Sequence, residues 1–166
     1  IGISISIDAR PGKLRKQTSF SYALSNRNYD HRWMLTHNTG MNKKGWAFSF
    51  SGSRRWADEG YVPGTHYNSW SYFFGVDKRI NQNNLVSLVA FGAPTESGRQ
   101  GAALKEMIDL SGTNYYNPYW GYQNGKKRNS SVSKTNQPVV ILTHDHRFNN
   151  NTSLVTAAGY SFGTRS

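Results

Sequence analysis

From Thr18 onward, bulky and small side chains alternate with a period of two, and few folds accept such a pattern repeated so often. Thr18, Phe20, Tyr22 and Leu24 are opposed by Ser19, Ser21, Ala23 and Ser25. Trp46, Phe48 and Phe50 are opposed by Ala47, Ser49, Ser51 and Ser53. Trp70, Tyr72, Phe74 and Val76 alternate with Ser69, Ser71, Phe73, Gly75 and Asp77, and the run from Ser153 to Phe162 repeats the theme. Successive side chains of an extended chain point to opposite sides, so these segments form strands with one greasy aromatic face and one small polar face. Strands are expected near 2–9, 17–26, 31–41, 45–56, 67–79, 84–93, 137–148 and 152–163. One helix is expected over 100–111, where Ala103, Met107 and Leu110 make a weak apolar stripe and Gly112 ends it.

Alternation alone also suits a soluble sandwich, so composition and connections carry the next step. Apolar residues make up 36% of the chain and aromatics 14%, too few aliphatics for a conventional core but apt for amphipathic strands with aromatic girdles. No run approaches the roughly 20 apolar residues of a membrane-crossing helix, whereas a barrel strand needs only about 9–11. Cysteine is absent, which removes disulfides, thiolate metal sites and cysteine nucleophiles. The net charge of +11 calls for an anionic partner, yet the basic clusters flank or interrupt the strand-like runs. Residues 41–45, 80–84 and 148–152 are compact Asn/Lys-rich turns, and longer connections fall near 57–67 and 95–136. Short turns at one end and long loops at the other is the plan of an antiparallel transmembrane barrel.

Catalysis finds little footing, and neither an enzyme nor a cofactor is expected. The carboxylates are few and scattered, and adjacent Asp58 and Glu59 suit a solvated turn better than acid–base work. Gly159–Gly163 spells a nucleophile-elbow pattern, but within an alternating strand and with no helix to follow. His144 and His146 point the same way on a strand, and no third ligand completes a metal set. Arg54, Arg55 and Trp56, or Lys126, Lys127 and Arg128 beside Tyr122, have the chemistry of a stacking platform for nucleic acid, without any recognition motif around them. The richest stretch is the connection at 95–136. There Tyr115, Tyr116, Tyr119, Trp120 and Tyr122 lie among Asn114, Asn117 and Gly121, apt for a sugar face, a peptide or an aromatic ligand, or for packing on themselves.

Four stretches carry a resemblance: SNRNYDHRWMLTHNTGM (25–41), GWAFSFSGSRRWADEGYVPGTHYNSW (45–70), LVAFGAPTESGRQG (88–101) and NYYNPYWGYQNGKKRNSSV (114–132). In order and spacing they resemble the early barrel of the TonB-dependent receptors of Bacteroidota outer membranes. The resemblance implies an all-β fold in which residues 1–9 are the last plug strand, 10–16 a linker, and 17–166 the first seven strands of a plugged barrel of about 22 strands. It implies nutrient import across the outer membrane, driven by the TonB energy-transducing complex, with ligand held by extracellular loops. It further implies outer-membrane lipid and lipopolysaccharide around the barrel, a surface lipoprotein as a partner, and the rest of the chain to complete the wall. No nucleic acid is then expected. The alternation assigns Phe20, Tyr22, Leu24, Trp46, Phe48, Trp70, Tyr72 and Phe74 to lipid. Two rival expectations are an autonomous eight-stranded outer-membrane barrel, structural or adhesive, and a soluble basic β-domain that binds nucleic acid.

Overall fold

The alternating segments fold as antiparallel strands, and the computed structural model describes residues 8–166. In chain order the strands are β1 (Gln17–Leu24), β2 (His31–Asn38), β3 (Trp46–Ala57), β4 (Tyr67–Asn81), β5 (Asn84–Gly92) and β6 (Thr95–Gly98). After the helix α1 (Lys105–Ser111) come β7 (Trp120–Gln123), β8 (Lys126–Asn129), β9 (Val132–Asn136), β10 (Val139–Arg147), β11 (Ser153–Ser161) and β12 (Thr164–Arg165). The main sheet runs in the order β1-β2-β3-β4-β5-β10-β11, an antiparallel meander of sequence neighbours interrupted only by the loop that holds α1, β7 and β8.

Three of the seven long strands are broken part-way. Pro94 lies between β5 and β6 and Pro138 between β9 and β10, and a proline has no N–H to give a ladder. Each broken strand nevertheless keeps its neighbour: β6 stays on β4 (Ser69↔Thr95, Tyr67↔Ser97), β9 on β6, and β12 on β9. The connection expected over 95–136 is therefore shorter, spanning 99–131, because its two ends continue the sheet. The helix also starts later than expected, at Lys105, and ends as foreseen with Gly112 at φ 68°, its N–H bonded to the Ile108 carbonyl.

At one end of the sheet the turns are built on asparagine. Asn42 Oδ1 accepts from the Lys44 and Trp46 N–H groups, Asn81 Oδ1 from Asn83 N–H, and Asn149 Oδ1 from Asn151 N–H. The connections 25–30, 58–66 and 99–131 gather at the opposite end, and the last two are the longest between strands of the main sheet. Among the described residues, β1 and β11 are each paired on one side only, so the sheet has two free edges and is not closed.

The two faces differ as the alternation requires. Every fully buried strand side chain, Ala47, Ser49, Ser53, Ala57, Ser69, Asp77, Ser87 and Val89, lies on one face. Cross-strand hydroxyl pairs knit that face together: Thr36–Ser51 at 2.8 Å, Ser53–Ser71 at 2.6 Å and Ser69–Thr95 at 2.8 Å. It is not uniformly polar, because Phe73, Phe91 and Val139 stand in register beside Gly75, Val89 and Ile141. The segment Leu85–Phe91 is apolar on both sides, which the alternation of the other strands did not foretell.

The N-terminal segment crosses this face near the turn end. Pro11, in a short 3-10 turn (Pro11–Lys13), is buried over Gly75, where an added Cβ would come within 2.8 Å of the proline ring. Gly12 donates its N–H to Asp77 at 2.7 Å, and Arg10 Nη1 meets Asp145 at 2.5 Å. The guanidinium of Arg10 also holds the Asp8 carboxyl far below the usual carboxylate range. Of the expected plug strand at 1–9, residues 1–7 lie outside the described residues, while Asp8 and Ala9 have no regular structure.

Candidate functional site

Two regions carry more chemistry than a scaffold needs: the loops at one end, and the apolar face. In the loops, Asn117 is the organiser. Only 1% exposed, it accepts from the N–H groups of Gly101 and Tyr119 at 3.1 Å each. Its amide donates to the carbonyls of Pro63 at 2.9 Å and Arg99 at 3.2 Å. One side chain thus binds the loop 99–131 to itself and to the neighbouring loop 58–66. A second tether is ionic: Glu59 accepts from Gly64 N–H and from the ammonium of Lys127 on β8. Gly64, at φ 76°, lies so close to Trp120 that any Cβ there would overlap the indole.

The five aromatics expected to hold ligand are not brought around one cavity. Tyr115 meets Tyr61 edge-to-face at 5.8 Å, and Trp120 packs on Gly64, under the Lys127 ammonium at 4.2 Å and against Tyr122 at 5.9 Å. Tyr116 is half-buried, Tyr119 lies against Gly101, and Tyr122 is 72% exposed. Trp120 and Tyr122 belong to a hairpin whose turn is Asn124-Gly125, both at positive φ, the residue pair that favours a two-residue reversal. That dipeptide was a legible signal for the hairpin. Instead, a recess of about 230 Å³ opens between loops 25–30 and 58–66, lined by Arg27, Tyr61, Val62, His66, Tyr67 and Gln100. Sequence reasoning placed a loop there but singled out none of these side chains.

Other candidates are resolved by which face they occupy. Arg54 and Arg55 are successive strand residues and project to opposite faces, so they cannot share one stacking platform with Trp56. Arg55 faces Arg32 across β2 and β3, its guanidinium 5.9 Å from the Tyr29 ring. Both Nε atoms are buried without a partner, which leaves a doubly positive spot near the loops. His144 and His146 share one acceptor, Asn84 Oδ1, at 3.0 and 2.8 Å, while Asp145 points to the other face and takes Arg10. Among the described residues no three potential metal ligands cluster. Ser161 of the elbow-like pattern ends strand β11, and Gly163 leads into β12 rather than a helix.

The eight side chains expected to meet lipid share one face. Register places Phe20 beside Leu35, Gly52, Tyr72 and Gly92 in one row, and Tyr22 beside Trp33, Arg54 and Trp70 in the next. Trp46 and Phe48 fall in line with Lys78 and Val76, and Phe74 pairs with Phe50. All eight are exposed, from 37% at Trp46 to 71% at Leu24, and Leu88, Leu142 and Tyr160 extend the same surface across β5, β10 and β11. Exposed apolar side chains gathered on one face mark a surface that meets something other than water.

No known protein family, curated sequence or solved structure matches this chain.

The Glu59 tether has a pH signature. Hydrogen bonds from Gly64 N–H and then from Lys127 hold the carboxyl below the ordinary value of 4.5. A carboxyl with a depressed folded-state pKa contributes stability above its unfolded pKa, and loses it as pH falls through the folded value. Measured relative to the intrinsic rate at each pH, hydrogen exchange in residues 58–66 should therefore stay constant from neutral pH down to about 4.5 and accelerate below it. In Glu59→Gln that acid-dependent acceleration should be absent.

Proposed function

We propose that this chain forms part of the wall of an outer-membrane β-barrel that imports a nutrient in a TonB-dependent manner. The observation that carries it is the division of the sheet: Phe, Tyr, Trp and Leu stand exposed along one face, whose charged groups Arg54, Lys78, Glu96 and Lys134 lie toward its two ends, while the buried serines and Asp77 line the other. Lipid on one side and a watery, plugged interior on the other require that division. In hydrocarbon every backbone N–H and C=O must be paired, so the free edges of β1 and β11 are covered in the membrane by further strands of the same protein. The barrel is then of the 22-stranded, plugged kind that the sequence resembles, and the segment 8–14 across the polar face leads from plug to wall.

Cargo is captured at the loop end, in the recess beside Tyr61, Tyr67 and Arg27, with the Asn117-organised loop as its rim. The aromatic side chains Tyr115, Tyr116, Tyr119, Trp120 and Tyr122 act there chiefly by shaping that rim. No bond is made or broken in the cargo. A surface lipoprotein would sit against the same loops.

Cells expressing the full-length protein should accumulate its cargo only while the TonB complex is intact, and the protein should stay in the outer membrane after a carbonate wash. Equal uptake without the TonB complex would remove the energy coupling from the proposal. Recovery of the protein in the wash would remove the membrane itself.

A further inference from the structure

We propose that Arg54 is the centre of a binding site on the outside of the wall for the phosphate of a phosphorylated lipid headgroup. The site rests on the membrane reading above and goes beyond it by naming the residues and the chemistry.

Arg54 is a cation on the face that carries the exposed aromatics, in the row Tyr22–Trp33–Arg54–Trp70. Its guanidinium carbon lies 4.9 Å from the Trp70 ring centre and 5.2 Å from that of Trp56, its neighbour two residues along the strand. Trp33, its cross-strand partner, meets Trp70 edge-on at 5.8 Å and closes a third side. His31 stacks on Trp56 at 5.1 Å and is hydrogen-bonded to Tyr22 Oη at 2.6 Å, extending the aromatic collar to β1. Three of the five tryptophans of the chain therefore surround one positive charge.

That charge has no partner. Arg54 Nε is buried with no acceptor, and among the described residues no carboxylate pairs with the side chain. Glu96, two strands away on the same face, is taken by Lys134 at 3.0 Å and by His66 at 3.4 Å. Indoles hold a guanidinium in place without neutralising it, and in a membrane an unneutralised cation is expensive. The row lies on the loop side of the apolar surface, where tryptophans and polar side chains such as Asn68, Glu96 and Lys134 take over from Phe48, Phe50 and Phe74. This is the composition of a membrane interface, the level at which lipid phosphates lie. A planar fork of N–H donors matches phosphate oxygens in pairs, which an ammonium cannot do. Beside Trp70 a groove of about 250 Å³, lined by Pro94, Lys134 and Asn136 among others, gives room for the rest of the headgroup.

The test uses the full-length protein in detergent micelles, titrated with bisphosphorylated lipid A and followed by tryptophan fluorescence and by the lipid retained after gel filtration. Phosphorylated lipid should bind and quench fluorescence, and the dephosphorylated lipid should bind at least about ten-fold more weakly. Arg54→Gln should lose about ten-fold or more in affinity, and Arg54→Lys should recover part of it. Lys78→Gln, which removes a cation over Trp46 at the turn end of the same face, should bind as the wild type does. If Arg54→Gln binds lipid A as tightly as the wild type, or if both lipids bind equally, the site is overturned while the membrane reading stands. Displacement of lipid A by millimolar inorganic phosphate would assign the site to free phosphate and overturn the lipid. A protein that does not remain in washed membranes overturns both.

Discussion

Replacing Tyr72 by lysine should destabilise the membrane-embedded protein by about 2–4 kcal/mol, the cost of a cation on the lipid face near mid-bilayer. Tyr72 is central on the apolar face, with Gly52 and Gly92 as its cross-strand partners. Its ring lies over Gly92, where an added Cβ would come within 2.5 Å of the phenol oxygen. On the proposed membrane reading the substitution therefore places charge in the acyl layer, and it uncovers the backbone at Gly92. Loss of resistance to heating in SDS and an earlier urea midpoint would report it. Tyr72→Phe keeps the ring and should stay close to wild type. Ser21→Lys, exposed on the opposite face of β1, should change stability by no more than about 0.5 kcal/mol. The contrast between the two lysines, more than either alone, distinguishes a lipid-facing side from a wet one.

The second large effect is expected at Asn117. Replacing it with leucine removes four hydrogen bonds at once and leaves the Gly101 and Tyr119 N–H groups and the Pro63 and Arg99 carbonyls without this partner. A buried polar group left unsatisfied costs about 1–3 kcal/mol, so loop docking should weaken by several kcal/mol while the strands persist. Proteolysis should then cut within residues 99–131 long before it cuts the sheet, and cargo binding should fall with the loss of the rim. Asn117→Asp keeps the acceptor and loses the donor, and should be intermediate. A variant whose loop stays as resistant as the wild type would show that the loop is held by something other than this amide.

Much of this architecture was legible because a sheet with two unlike faces writes its geometry directly into the residue order. Trp46, Phe48 and Phe50 against Ala47, Ser49 and Ser51 specify extended structure, and the observed faces agree residue by residue. The Asn-rich turns were readable for a similar reason, since an asparagine side chain caps its own turn locally and needs no distant partner. The continuation of the sheet past Pro94 and Pro138 was not readable. Those prolines mark a break in the ladder, but whether the chain resumes the same pairing depends on β4 and β9, far away in sequence. The loop site shows the same limit more sharply. A run of tyrosines advertises a binding surface, yet Tyr115 and Trp120 are engaged by Tyr61 and Gly64 more than fifty positions earlier. Arg54 differs from Arg55 in nothing but parity, and only the register of β2, β3 and β4 tells that one stands among indoles while the other faces a second arginine.

The most direct test is the environment of successive β4 side chains in the full-length protein in lipid vesicles. This segment has no cysteine of its own, so once any cysteine elsewhere in the protein is replaced, a spin label can be placed singly at each position from Ser69 to Gly75. Labels at Trp70, Tyr72 and Phe74 should be relaxed by oxygen dissolved in the acyl layer and shielded from a water-soluble nickel chelate, while labels at Ser69, Ser71, Phe73 and Gly75 should not share that lipid signature. Equal accessibility at odd and even positions, or even positions reached freely by the chelate, would contradict a wall with hydrocarbon on one side.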